Sequence, residues 1–458
     1  MKRMLSAARK YLSILFLFAL SLTACERETE RSGGKGDMRL VIHVSPIAAG
    51  AAAETVNPVT EKLRSIRMIL VSEDAAGNKK VESNQLVKED FGEGGQAVSN
   101  FVNKAFVVSN TAAGIKHFYF IANEASVTEL KFKDLTPPDG IGTTSLTALL
   151  DSYLPDTTDP EQPKLPDGTE FEQVMKALYF APEYLIDQGE IFLPYTAYYR
   201  VEVTEDQLRA EGGHKLEEMF MVPVATKFFF KFINYRSNTV EVQRIAIKEK
   251  HLANYLLAQV GSKDYKKKLP DSDTEYYWID WLKRISEWSH GSIEPGNDEN
   301  ENGWYNGIYG WISDFAMPED NQRTTAVLLD EKTDDPLEVE KVTVIRSSDS
   351  EEETQIPGLL YLGPYYLPES RNQVTYDNGG TTESKQLYYL DLKLHGKGST
   401  GNDPDLSDMG IDNLQSLFRN TCVLIRITMR EGDVQIYGEI FDWGHKDAFG
   451  WASGGDII

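Results

Sequence analysis

Alternation of apolar and polar residues with a period of two is the feature that most constrains how this chain can fold. Met38, Leu40, Ile42 and Val44 share one face of an extended segment. A second such face contains Val224, Thr226, Phe228, Phe230 and Phe232. Successive strand side chains point to opposite faces, so this pattern predicts half-buried strands. Helical spacing is sparse, and the sequence therefore predicts a mainly β fold with two β-sandwich domains in tandem.

The N-terminal segment reads as a lipoprotein signal peptide of residues 1–24. Four basic residues open it, an apolar stretch of 14 residues follows, and it ends in Leu22-Thr23-Ala24-Cys25. The apolar stretch is short for a membrane span and is typical of a signal peptide. The small residues before Cys25 match a bacterial lipobox, so we expect lipid on the Cys25 thiol. The alternative is an ordinary secretory signal in which Cys25 occurs by chance.

The rest of the sequence divides into a tether and two predicted domains. Residues 25–37 are polar and rich in Gly, a composition typical of a tether. We predict an N-terminal β-sandwich over residues 38–210 and a C-terminal β-sandwich over residues 211–458. The segment 205–215 interrupts the strand pattern and is the candidate junction between them.

The charge balance excludes one class of function. The 458 residues include 71 Asp and Glu against 47 Lys and Arg, a net charge of −24. Loss of the leader removes four basic and no acidic residues, which lowers the net charge to −28. Nucleic-acid binding requires a basic surface, so we expect no nucleic-acid partner. The acidic run at 347–354 is expected to be a solvated loop, and Cys422 to be a buried strand residue.

No catalytic or cofactor motif is recognisable in the sequence. None of the seven His lies in an HExxH spacing, and neither a phosphate-binding Gly-rich loop nor a GxSxG motif is present. With 71 acidic residues, no pair can be singled out as a glycosidase acid and base. We therefore expect a protein without enzymatic activity or cofactor, and a secreted glycoside hydrolase is the weakest of the alternatives.

One short stretch resembles the opening of a calcium-binding loop. Asp298, Asn300 and Asn302 alternate before Gly303, as oxygen ligands do in an EF-hand. The twelfth position, which requires a bidentate Glu, is Tyr309. An exposed polar loop explains the same residues, so these three are only weak calcium candidates and we expect no metal.

Five of the seven Trp are concentrated between residues 271 and 315, namely Trp278, Trp281, Trp288, Trp304 and Trp311. The first two have helical spacing with Leu282 and Ile285, which predicts a partly helical insertion in the second domain. The rings could fill the core of that insertion. Alternatively, exposed rings such as Trp304 and Trp311 would suit a sugar or a protein partner.

The sequence resembles the fimbrillin family, the lipoprotein pilins of type V pili in Gram-negative bacteria. The similarity covers nearly the whole chain after the leader, as a weak pattern with a few sharper places. These are the Arg-Leu-Val-Ile-His-Val segment at 39–44, Gly114 to Asn123, the Val222 strand, and Phe418-Arg419-Asn420-Thr421 with the later Trp443. The resemblance implies two transthyretin-like β-sandwiches and a structural pilus subunit that supports adhesion.

The resemblance also implies a maturation route. The lipidated precursor reaches the outer surface, an Arg-specific protease removes the first strand, and a C-terminal strand of a neighbouring subunit replaces it. The exchanged strand would carry Met38, Leu40, Ile42 and Val44, and the donor would be residues 434–443 or the tail beyond them. The implied partners are other fimbrial subunits, the outer membrane through lipid on Cys25, and a host or glycan receptor.

One departure from the family pattern concerns the processing site. No Arg lies between residues 45 and 63, so Arg64 is the first candidate for cleavage. Arg64 directly precedes the next predicted strand, which leaves open an uncleaved, lipidated anchor or a different protease. The long Trp-rich insertion fits an accessory or tip subunit as well as a shaft pilin. The rival function of another class is a surface glycan-binding lipoprotein that uses the Trp278 to Trp311 cluster.

Overall fold

The protein is mainly β, as the alternation predicts. A computed structural model describes residues 38–46, 61–88, 101, 103–136, 144–159, 164–182, 192–210, 212–258, 266–268, 275–277, 323–346, 353–369, 374–377, 380–383, 389–398, 406–410 and 419–443. Within these ranges, no helix combines the length and apolar character that a membrane crossing requires.

The first half of the chain contains ten strands and all three described α-helices. The strands are β1 (Arg39–Pro46), β2 (Ser65–Glu73), β3 (Lys79–Lys88), β4 (Lys104–Ser109), β5 (Gly114–Ala122), β6 (Lys131–Phe132), β7 (Leu178–Phe180), β8 (Tyr195–Val203), β9 (His214–Lys215) and β10 (Met219–Pro223). The helices cover Leu146–Asp151, Gly168–Ala177 and Glu205–Leu208, and a 3₁₀ turn covers Glu124–Ser126.

The described part of the second half is built of strands. They are β11 (Thr226–Asn234), β12 (Val240–His251), β13 (Asn254–Tyr255), β14 (Lys266–Lys268), β15 (Glu275–Tyr277), β16 (Arg323–Leu329), β17 (Leu337–Val339), β18 (Thr343–Arg346), β19 (Glu353–Ile356), β20 (Gly358–Leu367), β21 (Val374–Asp377), β22 (Gly380–Glu383), β23 (Tyr389–Gly396), β24 (Leu406–Gly410), β25 (Thr421–Arg430) and β26 (Asp433–Asp442).

The first sheet has the strand order β3-β2-β5-β8-β10-β1-β4, with β9 also paired to β1. Its apolar face is rich in aromatic residues, and the helix Gly168–Ala177 packs on it. Phe171 of that helix meets the ring of Tyr119 edge-on, with centroids 5.1 Å apart. Asp167 caps the helix through bonds from the Thr169 and Glu170 amides, which explains why the helix begins there.

Two further sheets are formed by the second half of the chain. One has the order β20-β11-β25-β26, and the other has the order β16-β12-β23-β24, with β17 also paired to β12. The inward residues of β11 are Phe228, Phe230 and Phe232, all fully buried. They share one contiguous apolar core with the buried residues of β12, β23 and β25. Cys422 in β25 is buried, as its apolar surroundings in the sequence indicate.

β10 belongs to the first sheet, whereas the next strand, β11, belongs to the sheet β20-β11-β25-β26. A boundary at residue 211 would assign β9 and β10 to the second unit, whereas both are hydrogen-bonded into the first sheet. The predicted junction at 205–215 therefore connects two strands of one sheet. The division into two sandwich domains stays a prediction, and most of the Trp-rich insertion lies outside the described residues.

Candidate functional site

The first strand lies inside its sheet, between β4 and β10. Six residues of β1 pair antiparallel with β4, and three residues at its C-terminal end pair parallel with β10. The other end pairs with β9 at Leu40 and Val41. Gly213, with a φ of +86°, allows this approach, because a Cβ there would stand 2.6 Å from the Cβ of Arg39. β1 is therefore an internal strand of the sheet, hydrogen-bonded on both sides.

One face of β1 is completely enclosed. Leu40, Ile42 and Val44 have no exposed surface, and Met38 packs against the same core from a half-buried position. On the other face, Arg39 is exposed, and the ring of His43 contacts the Asn103 side chain at 2.8 Å. Removing β1 would therefore leave apolar pockets and unpaired ladder groups on both neighbours. The four predicted apolar residues do lie together on the core side.

The described part of the connection from β1 to β2 begins at Glu61, whose carboxylate is buried among donors from the second half of the chain. The Lys227 Nζ lies 2.6 Å from Glu61 Oε1, and the Tyr366 hydroxyl donates to the same oxygen at 2.8 Å. The Trp443 indole Nε1 donates to Oε2 at 3.0 Å. We call these four residues the Glu61 cage.

Further contacts surround the buried Glu61 cage. The Lys227 ammonium stands 4.4 Å from the centre of the Trp443 ring, and the Trp443 and Tyr366 rings stack at 6.0 Å. The Tyr195 hydroxyl donates to the Glu61 carbonyl at 3.1 Å. Burial, with the nearby Glu61 charge, raises the pKa of Tyr195 well above its ordinary value, so this hydroxyl remains a donor.

The predicted processing residue, Arg64, lies in a backbone clamp formed by Asn123. The Arg64 amide donates to Asn123 Oδ1 at 2.7 Å, and Asn123 Nδ2 donates to the Lys62 carbonyl at 2.9 Å. The Asn123 amide donates to the Ser65 carbonyl at 3.1 Å. Asn123 has a left-handed backbone with a φ of +55°, which an Asn tolerates better than most residues. The backbone on both sides of the Arg64–Ser65 bond is thus held in place.

The candidate donor strand is already part of a sheet. All ten residues of β26 pair with β25, and Trp443, just beyond it, is buried in the Glu61 cage. Releasing residues 434–443 would break this ladder and the cage together. The other candidate, the tail 444–458, lies outside the described residues.

Arg419, from the Arg-Asn motif of the sequence, joins the two halves of the chain. Its guanidinium forms a buried ion pair with Glu369 and donates to the carbonyls of Tyr255 and Leu256, each at 2.8 Å. It also reaches the Thr196 hydroxyl of β8 at 3.4 Å. The buried charge of Arg419 is thus satisfied by partners from several elements, and these contacts give Arg419 a structural role.

Several predicted site residues lie outside the described ranges: Cys25, Asp298, Asn300, Asn302, Trp304 and Trp311. Lipidation, calcium binding and ligand stacking by these residues stay predictions. Within the described ranges, no cluster of three or more His, Cys, Asp or Glu could hold a metal ion. The sequence did not identify Glu61, because Tyr366 and Trp443 are 305 and 382 residues away from it.

Comparison with known proteins gives structural similarity at low sequence identity. No protein-family model matches the chain, and no curated protein sequence matches it. A tip fimbrial protein from Porphyromonas gingivalis, solved with a C-terminal truncation, aligns at 12% identity with a TM-score of 0.37, covering 89% of this chain and 100% of that one.

Two other solved structures align similarly. A candidate adhesin from Bacteroides ovatus has 10% identity and a TM-score of 0.32, covering 88% of this chain and 96% of that one. A candidate polysaccharide-binding protein from Bacteroides thetaiotaomicron has 9% identity and a TM-score of 0.27, covering 90% of this chain and 99% of that one.

Proposed function

We propose that this chain is a structural fimbrial subunit of the cell surface, without enzymatic activity, in which its own β1 fills a position that a strand of another subunit could take. The observation that carries the proposal is the position of β1. It lies between two strands, its apolar face is fully buried, and its ladder is shared with β4 on one side and with β9 and β10 on the other. A segment with these properties can be replaced by another strand of the same alternation.

The Glu61 cage and the Asn123 clamp favour a subunit that keeps its own strand. A protease needs several residues of extended, accessible backbone, and the backbone around Arg64 is bonded to Asn123 on both sides. We therefore infer that folded copies are not cut after Arg64. The chain would then act as a lipid-held anchor of the fimbrium, with the lipid on Cys25 in the outer membrane and other fimbrial subunits as partners.

Strand exchange can be tested by cutting the β1–β2 connection artificially. A protease site inserted among residues 50–53 is cleaved in the purified protein, and a fluorescent peptide of residues 38–46 is added. We expect the cut chain to incorporate this peptide and the uncut chain to exclude it. The same peptide with Ile42→Asn is the matched control and should not enter, because the Asn amide would be buried without a partner.

Assembly is tested on the same sample. Cut chains that release β1 should form strand-exchanged oligomers, seen by size-exclusion chromatography and electron microscopy. If cut chains stay monomeric and take up neither peptide, β1 is an ordinary core strand and the proposal fails.

A further inference from the structure

The outward face of β1 carries two polar residues near its C-terminal end, His43 and Ser45. The three fully buried residues of β1 occupy even-numbered positions and point into the core, so these two odd-numbered residues point to the opposite face. His43 is half-buried, whereas Ser45 is only 3% exposed although it lies on the outward face. A hydroxyl so nearly closed off from water needs hydrogen-bond partners within the protein.

The Ser45 hydroxyl has one partner on each side of β1. It donates to Glu218 Oε1 at 2.6 Å, and it accepts a hydrogen bond from the Asn103 amide at 2.7 Å. Asn103 directly precedes β4, and Glu218 directly precedes β10, so the two partners belong to the two neighbours of β1. The hydroxyl therefore joins both sides of the position that β1 occupies.

Asn103 also contacts His43. Its Oδ1 lies 2.8 Å from His43 Nδ1, and an amide oxygen only accepts, so His43 is the donor. The ladder between β1 and β4 ends at the pair Val44 and Lys104, and Asn103 follows with a left-handed φ of +54°. Asn103 thus bonds to two outward residues of β1, to one through its side chain and to the other through its amide.

The apolar face of β1 does not by itself fix the register of a strand in this position. Displacement by one residue would turn the apolar side chains outward, but displacement by two residues would keep an alternating set inside. Such alternation recurs in the chain, since β23 also carries three buried Leu at every second residue. The polar contacts do fix the register, because displacement by two residues would bring a different side chain to Asn103 and Glu218 in place of Ser45.

We propose that Asn103 and Glu218 determine which strand the β1 position accepts. The accepted strand has three alternating apolar residues, a hydrogen-bond donor directly before the last of them, and a Ser or Thr directly after it. This inference rests on the proposed function, since it describes the partner strand that could take the place of β1. The chain's own residues 40–45, Leu-Val-Ile-His-Val-Ser, meet the requirement, which favours a folded copy that keeps its own strand.

A second copy of this chain does not offer such a strand in residues 434–443. That segment, Val-Gln-Ile-Tyr-Gly-Glu-Ile-Phe-Asp-Trp, has apolar residues at alternate positions but no Ser or Thr. In the β1 position it would leave the Asn103 amide and the Glu218 carboxylate without the hydroxyl that joins them. We therefore infer that the partner strand comes from a polypeptide of different sequence and not from β26 of an identical subunit.

Competition on the cut chain tests the proposal. The chain cleaved within residues 50–53 is loaded with the fluorescent peptide 38–46, which unlabelled variants of that peptide then displace. Ser45→Thr keeps the hydroxyl and should compete like the unaltered peptide, whereas Ser45→Val, of nearly the same shape, should compete about tenfold more weakly because two hydrogen bonds are lost. Val41→Thr, on the same face but paired with other residues, is the matched control and should leave competition unchanged. The peptide 434–443 should not compete.

Variants of the cut chain assign the effect to the two contacting residues. Glu218→Ala should reduce the difference between the Ser45→Thr and Ser45→Val peptides, because changes at two groups in contact are not additive. Glu217→Ala removes the adjacent exposed carboxylate and is the matched control, which should preserve the difference. Asn103→Gly keeps a residue suited to the left-handed backbone and should remove the advantage of the unaltered peptide over His43→Leu. Circular dichroism establishes that each variant is folded.

The outcomes separate this inference from strand exchange itself. If the cut chain does not take up the unaltered peptide, strand exchange and the selectivity both fail. If it takes up the peptide but the Ser45→Val variant competes as well as Ser45→Thr, only the selectivity is wrong. Equal discrimination by the Glu218→Ala chain and the unaltered chain would likewise overturn it, as would competition by the peptide 434–443.

Discussion

The carboxylate of Glu61 is nearly inaccessible to water, and the charge that balances it comes from Lys227 of β11. Breaking such a pair by removing one partner costs about 3–5 kcal/mol, because the other charge is left buried alone. We expect Glu61→Leu to lower the free energy of unfolding by this amount in urea denaturation. The double variant Glu61→Leu/Lys227→Met should recover part of the loss, since it buries neither charge.

Glu205→Gln is the control for Glu61, because Glu205 forms an exposed ion pair with Arg209 within one helix. A surface pair of this kind contributes less than about 1 kcal/mol. Equal losses for the Glu61 and Glu205 variants would show that the cage does not stabilise the fold.

His117 gives the fold a dependence on pH. Its ring is buried between the Glu73 carboxylate, at 2.8 Å, and the Tyr198 hydroxyl, at 2.7 Å. Burial lowers the pKa of His117 below its ordinary value, although Glu73 opposes this shift. Below about pH 6.5, His117 therefore binds a proton in the unfolded chain but not in the folded chain. The contribution of His117 to the free energy of unfolding is thus complete above that pH and decreases as the solution is acidified.

The contribution of His117 is measured by urea denaturation between pH 7.5 and 5. His117→Gln should reduce the loss of stability on acidification by up to about 1.4 kcal/mol per pH unit, the limit for one proton. The variant should also be less stable at pH 7.5, because it loses one of the two hydrogen bonds. An unchanged pH slope would mean that His117 is protonated equally in both states.

At the scale of single elements, the connection between β1 and β2 is held at its C-terminal end by Asn123. We expect an Arg-specific protease to leave the Arg64–Ser65 bond of the folded chain intact, because cleavage requires the clamp to open first. Asn123→Ala removes the two side-chain hydrogen bonds of the clamp and should produce a fragment that begins at Ser65. Mass spectrometry of timed digests measures its rate of formation.

Asn110→Ala is the matched control for the clamp. Asn110 also has a left-handed backbone, with a φ of +60°, so its replacement introduces comparable backbone strain away from Arg64. This variant should resist cleavage at Arg64 as the unaltered chain does. Rapid cleavage of the unaltered folded chain would contradict the inference that β1 is retained, and would support Arg64 as the processing site.

The elements differ in how far the sequence predicts them. Strands such as β1 and β11 follow from local alternation, since every second residue of each is apolar and lies on the buried face. The placement of β1 between β4 and β10 is set by pairings with residues about 65 and 175 positions away, which one sequence does not encode locally. For the same reason, nothing in the sequence distinguishes Glu61 from the other acidic residues. The sequence indicates Asn123 only as the last residue of the Gly114 to Asn123 segment.

At the scale of the whole molecule, Arg419 couples the sheets of the two halves. It precedes β25, yet it donates to the Tyr255 and Leu256 carbonyls and reaches Thr196 in the first sheet. We expect Arg419→Met to leave the buried Glu369 unpaired and to cost about 3–5 kcal/mol. Because the lost contacts lie where the two halves meet, the halves should then unfold at different temperatures.

Differential scanning calorimetry, together with far-ultraviolet circular dichroism and tryptophan fluorescence, measures this coupling. The unaltered chain should give one transition at which the two spectroscopic signals coincide, and Arg419→Met should separate them. Arg209→Met is the control, because Arg209 is exposed and pairs only within its own helix turn in the described structure. The double variant Arg419→Met/Glu369→Leu should regain stability, since it removes both buried charges. If the hydrogen bonds to Tyr255 and Leu256 couple the two halves, this double variant should still unfold in two separate transitions. A single coincident transition in Arg419→Met would show that apolar packing alone holds the two halves together.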